Sequence, residues 1–173
     1  MTILCDTQIK RLCENGLVSP YDESLVGPAS LDVRLGETIK IPKEDARGLD
    51  TISIAHHTPG DPYWLKGFTL GHTAETFWIP NTLCAFFALK SGRGREAISH
   101  ALSGFCDPGW KGSKLTLELH PLTMHPNLPA IWPGMRIGQL VFMRMDQEPE
   151  TSYSKCGHYN NDATVMESKG YFG

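Results

Sequence analysis

This chain of 173 residues has no apolar run approaching the ~18 residues that a membrane span needs. Its opening Met1-Thr2-Ile3-Leu4-Cys5-Asp6 lacks the basic and apolar regions of a secretory leader. A cytoplasmic protein without membrane contacts is the expectation. A cationic surplus is missing too: 16 Lys and Arg stand against 19 Asp and Glu, a formal charge of −3, which argues against general nucleic-acid binding. No C-x-x-C pair occurs, and the five cysteines (Cys5, Cys13, Cys84, Cys106, Cys156) are scattered and odd in number. A disulfide framework is not suggested, and buried free thiols are expected. The seven histidines show no metal-ligand spacing. His56 and His57 are adjacent, so on a strand they would face opposite ways, and they read as loop residues. With no internal repeat and no linker, residues 1–173 are expected to form a single domain with a substantial core.

What is present is a series of short apolar segments punctuated by Gly and Pro. Asp6 opens a short helix, with Ile9, Leu12 and Cys13 at helical spacing and Gly16 as its stop signal. Strand patterns follow over 29–36, 38–42, 68–70, 75–79 and 83–89, and later over 115–119, 130–132 and 137–143. The polar segment 43–67 reads as an irregular surface excursion. A single helical turn is expected from Glu96 to Ala101, and the polar tail from Asp146 onward as a segment ordered only by a ligand or partner. Short strands separated by such turns predict a mostly-β barrel or sandwich.

Four segments carry possible chemistry. Lys90-Ser91-Gly92-Arg93-Gly94-Arg95 follows an apolar strand, and its three cations and two glycines suit either a solvated loop or a phosphate cradle. Cys106-Asp107-Pro108-Gly109-Trp110-Lys111-Gly112 is a turn former, or a turn whose acid accepts a sugar hydroxyl over the Trp. In Lys114-Leu115-Thr116-Leu117-Glu118-Leu119-His120, alternation puts the three leucines on one face and Thr116, Glu118 and His120 on the other. That second face is either solvated or offers a carboxylate that takes and returns a proton beside apolar bulk. The fourth segment, Trp132-Pro133-Gly134-Met135-Arg136-Ile137-Gly138-Gln139-Leu140-Val141-Phe142, is a turn leading into an alternating strand.

Taken together and in order, these motifs resemble the dCTP deaminase family of the dUTPase-like superfamily. Leu4-Cys5-Asp6, Gly27-Pro28-Ala29-Ser30-Leu31-Asp32-Val33-Arg34-Leu35-Gly36, Asp107-Pro108-Gly109-Trp110, Leu115-Thr116-Leu117-Glu118 and Pro133-Gly134-Met135-Arg136-Ile137-Gly138-Gln139-Leu140 carry the resemblance. It runs nearly end to end and is weakest over 43–67 and in the tail. It implies a dUTPase-like distorted β-barrel, of β-clip or jelly-roll type, with short helices. It also implies a homotrimer or a hexamer of two trimers, with active sites shared between subunits and the tail closing over the ligand.

By the same resemblance Glu118 takes the place of the general acid and base, Ser91 that of the hydroxyl positioning water and base, and Arg95 that of an arginine holding the arrangement. Lys90 falls where a phosphate-binding Arg is usual, and Asp107 where an acid reads the deoxyribose 3′-hydroxyl. Gly92, Arg93, Gly94, Ser103, Trp110, backbone groups of Thr116 and Leu117, and Gln139 complete the expected nucleotide contacts. Tyr153 and Gly157-His158-Tyr159-Asn160-Asn161-Asp162 resemble the phosphate-closing Tyr…Lys-Tyr-x-x-Gln, with His158 and Asp162 in place of Lys and Gln.

The implied reaction replaces an exocyclic amine with oxygen, and one carboxylate can move all the protons this requires. The H-x-E…P-C-x-x-C signature of zinc deaminases is absent from the sequence, so a zinc-free mechanism is expected, with Mg²⁺ arriving on the triphosphate. In the family block basic-Ser-Ser-Leu-x-Arg-x-Gly, the second Ser and the Gly are lost here. The chain is also one residue shorter between Arg95 and Asp107 and one longer between Gly112 and Glu118 than typical members. These departures border the pyrimidine, so dCTP and 5-methyl-dCTP both stand as substrates, giving dUTP or dTTP. Two other readings remain at this point. One is dUTP diphosphatase activity, alone or coupled to deamination, on Asp107 and the Gly-containing tail 168–173. The other is a non-catalytic nucleotide-binding regulator, against which Ser91, Arg95 and Glu118 together argue.

Overall fold

The computed structural model describes residues 2–45, 47–101, 104–122 and 128–170, and Ser103 lies outside them. β1 (Thr2–Ile3) leads into α1 (Asp6–Glu14), whose Ile9 and Cys13 are buried at helical spacing. Gln8 accepts a hydrogen bond from the Cys5 N–H at 3.1 Å, closing the first turn. Then come β2 (Val18–Ser19), β3 (Leu31–Arg34), β4 (Thr38–Pro42), β5 (Leu49–Ser53), β6 (Tyr63–Trp64), β7 (Thr69–Trp78) and β8 (Leu83–Leu89). After α2 (Ser91–Arg95) follow β9 (Ile98–His100), β10 (Phe105–Cys106), β11 (Lys111–Pro121), β12 (Ala130–Ile131), β13 (Arg136–Arg144) and α3 (Tyr153–Cys156).

The strands form two main antiparallel sheets and a separate two-stranded pair of β6 and β12. One runs β1-β13-β8-β10, with β3 also on β13; the other runs β5-β4-β7-β11-β9, with β2 on β7. Their apolar faces meet in one core that includes Leu31, Val33, Phe77, Phe87, Leu117, Leu119, Ile137, Leu140 and Phe142. This is the expected distorted barrel, mainly β with three short helices.

Several boundaries differ from those read in the sequence. The segment 43–67 is not all irregular: β5 pairs along the whole of β4, β6 pairs with β12, and Ile54 and Leu65 are fully buried. Its polar residues decorate one side of an added edge strand, so its composition resembles a loop's. The two patterns at 68–70 and 75–79 belong to one strand, β7, because polar His72 and Thr73 between them are buried, as is Glu75. The helical turn lies at Ser91–Arg95, and the expected turn over 96–101 holds β9 instead. Cys13, Cys84 and Cys106 are buried as expected, whereas Cys5 and Cys156 are exposed. Among the described residues, no helix is long and apolar enough to cross a membrane.

The buried polar groups of β7 form a bulge. The register against β11 steps from Lys114↔Thr76 to Thr116↔His72, looping out the intervening β7 residues. Thr73 fills the gap: its hydroxyl donates to the Glu75 carbonyl at 2.8 Å and accepts the Leu115 N–H at 3.0 Å. The Glu75 carboxylate, 1% exposed, accepts from the backbone N–H and the Nε of Arg34 at 2.9 and 2.7 Å. The bulge is thereby tied to β3 of the other sheet. Removing one partner of a buried pair leaves the other charge uncompensated. Arg34→Met is therefore expected to cost about 3 kcal/mol in urea unfolding, and adding Glu75→Gln to recover part of the loss; equal midpoints for wild type and Arg34→Met would contradict this.

Candidate active site

Strand β11 lies between β7 and β9, and its alternation is as expected: Leu115, Leu117 and Leu119 are buried, while Thr116, Glu118 and His120 are partly exposed. Glu118 faces Leu70 across the β7 pairing and projects into a cleft of about 610 Å³. The cleft is lined by Leu49, Phe68, Leu70, Phe105, Trp110, Leu115 and Met166 on its apolar side, and by Asp107, Lys114, Thr116, Glu118, Tyr153, Tyr159, Asp162, Glu167 and Ser168 on its polar side. Of the expected site residues, Glu118, Asp107, Trp110, Thr116, Tyr153 and Asp162 thus converge. Leu117 sends its side chain into the core, so only its backbone is available.

Burial raises the Asp107 carboxyl above the ordinary aspartate range. The neighbouring Cys106 thiol also borders the cleft, but burial, helped by Asp107, pushes it up to about 12. It stays a thiol at neutral pH and is a poor nucleophile. Tyr153 is likewise raised, chiefly by burial.

The basic segment stands elsewhere. Lys90 precedes α2 and donates to both carboxylate oxygens of Asp32 at 2.6 and 2.7 Å, with Arg136 at 3.5 Å from the same group. Arg93 pairs with Glu96 at 2.8 Å and lies 6.0 Å over the Trp132 ring. Ser91 and Arg95 are exposed. None of Lys90, Ser91, Gly92, Arg93, Gly94 and Arg95 lines the cleft of its own chain. Gly94 borders a second, apolar hollow of about 350 Å³ with Phe86, Phe87, Ile98, His100 and Leu122. Gln139 accepts from the Ser30 hydroxyl at 3.2 Å within the first sheet, away from the cleft.

The tail packs on its own chain. Ser152 and Val165 are buried. The Tyr159 carbonyl accepts from Trp110 Nε1 at 2.6 Å and from the Ser113 hydroxyl at 2.9 Å, and the Met166 N–H donates to Thr116 Oγ1 at 3.2 Å. The physical reason is that β11 has an unpaired stretch of polar groups near its start, which the tail satisfies. Asp162 is held by Lys169, whose ammonium lies 2.9 and 3.0 Å from the carboxylate, 2.7 Å from the His158 carbonyl and 5.0 Å from the Tyr159 ring. A cation therefore stands beside His158 after all, supplied from eleven residues further on.

Sequence reasoning missed the apolar wall of Leu49, Phe68, Leu70, Phe105 and Met166, which comes from four separate segments. It also missed His100, whose Nε2 stands 3.3 Å from Glu118 Oε2. Phe105, next to the Asp107 turn, carried the only local signal. Among the described residues, no three His, Cys, Asp or Glu side chains converge as a metal cage.

A β-barrel with a carboxylate on a central strand, facing a cleft roofed by the chain's own tail, defines a class of small-molecule binding proteins with the means for proton transfer. Within that class the dCTP deaminase-like family model matches residues 3–145, and the chain belongs to this family. It is 37% identical over 152 residues to a Mycobacterium marinum protein named dCTP deaminase, dUMP-forming, covering 81% of this chain and 78% of that one. A Corynebacterium efficiens protein of the same name is 33% identical over 188 residues, covering 98% and 94%. The fold matches the crystal structure of 2′-deoxycytidine 5′-triphosphate deaminase from Agrobacterium tumefaciens with a TM-score of 0.66 at 22% identity, covering 83% of this chain and 48% of that one. The dUTPase-like barrel expected from the sequence is therefore the fold.

Gly109 is where the tail is seated. Its φ is +88°, and a Cβ there would lie 1.9 Å from Ser152 Oγ. Gly109→Ala is expected to undock the segment after Ser152, seen as faster tryptic cleavage at exposed Lys155 with the barrel still folded. An unchanged cleavage rate would contradict this seating.

Proposed function

We propose that the chain deaminates a deoxycytidine triphosphate at C4 of the base, with Glu118 as general acid and base. The observation that carries this reading is the placement of Glu118 on a rigid central strand, 26% exposed, facing a cleft with one apolar and one polar wall. The names of the relatives support the same substrate. Glu118 takes a proton from water as the oxygen adds to C4 and delivers it to N3. It then takes the proton of the new hydroxyl and passes it to the amine, which leaves as ammonia. The balance is dCTP plus water to dUTP plus ammonia, drawn from the cytoplasmic nucleotide pool.

In this reading Asp107 accepts the deoxyribose 3′-hydroxyl and Trp110 packs under the sugar. Ser91 and Arg95 come from a neighbouring copy, in a homotrimer or a dimer of trimers. The exclusion of α2 from its own cleft supports that sharing, as does the exposed cross-strand pair Phe86 and Phe105, 39% and 52% accessible. Lys90, Arg93 and the glycines of α2 would then meet the phosphates of the adjacent site. Mg²⁺ would come as a passenger on the triphosphate: of the acids lining the cleft, Asp162 and Glu167 are paired with Lys169 and Lys40, and among the described residues no three metal-ligating side chains converge. When bound it would neutralise phosphate charge.

A second reading adds hydrolysis of dUTP to dUMP and pyrophosphate, favoured by the dUMP-forming names of the relatives. The apolar wall that includes Phe68, Phe105 and Met166 also keeps 5-methyl-dCTP as a substrate, although a methyl group is worth only ~1–3 kcal/mol. Incubation with dCTP, 5-methyl-dCTP, dCMP and dUTP, followed by chromatography, separates these cases. Glu118→Gln is expected to bind dCTP and release ammonia about a thousandfold more slowly; an unchanged rate would end the mechanism. Ser91→Ala is expected to be inactive alone, yet to regain activity when co-assembled with Glu118→Gln, because some mixed sites carry both intact groups. No recovery would contradict shared sites.

A further inference from the structure

His100 stands beside Glu118 at the end of β9. It pairs with Leu119 across β9 and β11, and Nε2 lies 3.3 Å from Glu118 Oε2. The imidazole is 6% exposed and packs on Phe87 with ring centroids 4.7 Å apart. Despite its closeness to the carboxylate, buried Nε2 is not aligned for a hydrogen bond with any group among the described residues. An unsatisfied buried nitrogen is destabilising, and Phe or Leu would fill this space without that cost. A polar atom kept there at such expense, beside the proton-transfer carboxylate, calls for a chemical role.

Burial lowers the proton affinity of the ring, Glu118 opposes that shift, a hydrogen bond with the Ala101 backbone opposes it further, and His120 reinforces it. Glu118 and His120 on β11 are the titratable groups acting on it, and β8 offers the Phe87 ring. With Nε2 3.3 Å from Glu118, Nδ1 is the ring nitrogen left to face the Ala101 backbone. A neutral ring that donates from Nδ1 turns the Nε2 lone pair toward Glu118. A lone pair facing a carboxylate oxygen is favourable only with a proton between them. A small rotation of the partly exposed Glu118 side chain aligns the two.

We propose that His100 is a positioning residue for Glu118, holding Oε2 and sharing the carboxyl proton between transfers so that Oε1 is presented to the base. The role rests on the deamination reading. Each proton that Glu118 receives from water is held between Oε2 and Nε2 and returned to Glu118 before delivery, so His100 ends every cycle as it began.

The test compares wild type, His100→Phe and His100→Asn in ammonia release from dCTP across pH. His100→Phe fills the space but can hold no proton: kcat is expected to fall about tenfold or more with KM changed less than about threefold, and the acid limb of kcat to move. His100→Asn, which can still donate to Oε2, is expected to recover part of kcat while keeping the displaced limb. A kcat and acid limb matching wild type in His100→Phe would overturn the proposal. Should that variant fail to fold, nitrogen-15 NMR of the wild-type imidazole decides. Protonated Nδ1, with an Nε2 signal that moves in Glu118→Gln, is expected; an Nε2 signal indifferent to Glu118→Gln would overturn it. Wild type that releases no ammonia from dCTP would sink the deamination reading, while the NMR arm would still report on the contact.

Discussion

The register of β11 between β7 and β9 is the constraint on which the site depends. A shift of one residue would turn Glu118 into the core and a leucine into the cleft. That register is fixed from both sides. On β7 the bulge around Thr73 and Glu75 sets the step from Lys114 to Thr116. On β9 the pairing of Leu119 with His100 holds the far end. The Glu75–Arg34 pair then ties the bulge to the opposite sheet, so the strand that carries the carboxylate is braced through the core. A site on such a strand is more rigid than one on a loop.

The polar groups at the start of β11 do a second task. Ser113 and Thr116, with Trp110 just before them, anchor the tail through Tyr159, Asp162 and Met166. The same strand thus supplies the floor and the roof attachment of one cleft. Charge follows this division. Lys169 and Lys40 neutralise the acids of the tail, Asp162 and Glu167. Asp107 and Glu118 line the barrel side of the cleft, with the Lys114 ammonium on the same wall.

Much of this was legible in the sequence where a pattern is local. The leucine alternation around Glu118, the D-P-G-W turn and the helix begun at Asp6 all depend on neighbours in the chain, and they are found as read. The alternation fails where tertiary contacts override it. Thr73 and Glu75 are polar residues buried by a bulge, so β7 read as two strands; β5 is a polar edge strand, so it read as loop. His100 and the apolar cleft wall were invisible for a different reason. They come together with Glu118 from distant segments of the chain, which leaves no periodic trace. The tail's docking was hidden likewise, because its partners are the backbone and hydroxyl groups of β11 and not an apolar stripe.

The most direct test of the account is the fate of solvent oxygen. When the chain turns over dCTP in ¹⁸O-labelled water, mass spectrometry is expected to find one label in the pyrimidine ring carbonyl and an equal amount of ammonia, with any second label confined to phosphate. A labelled phosphate with an unlabelled, still aminated base would contradict it.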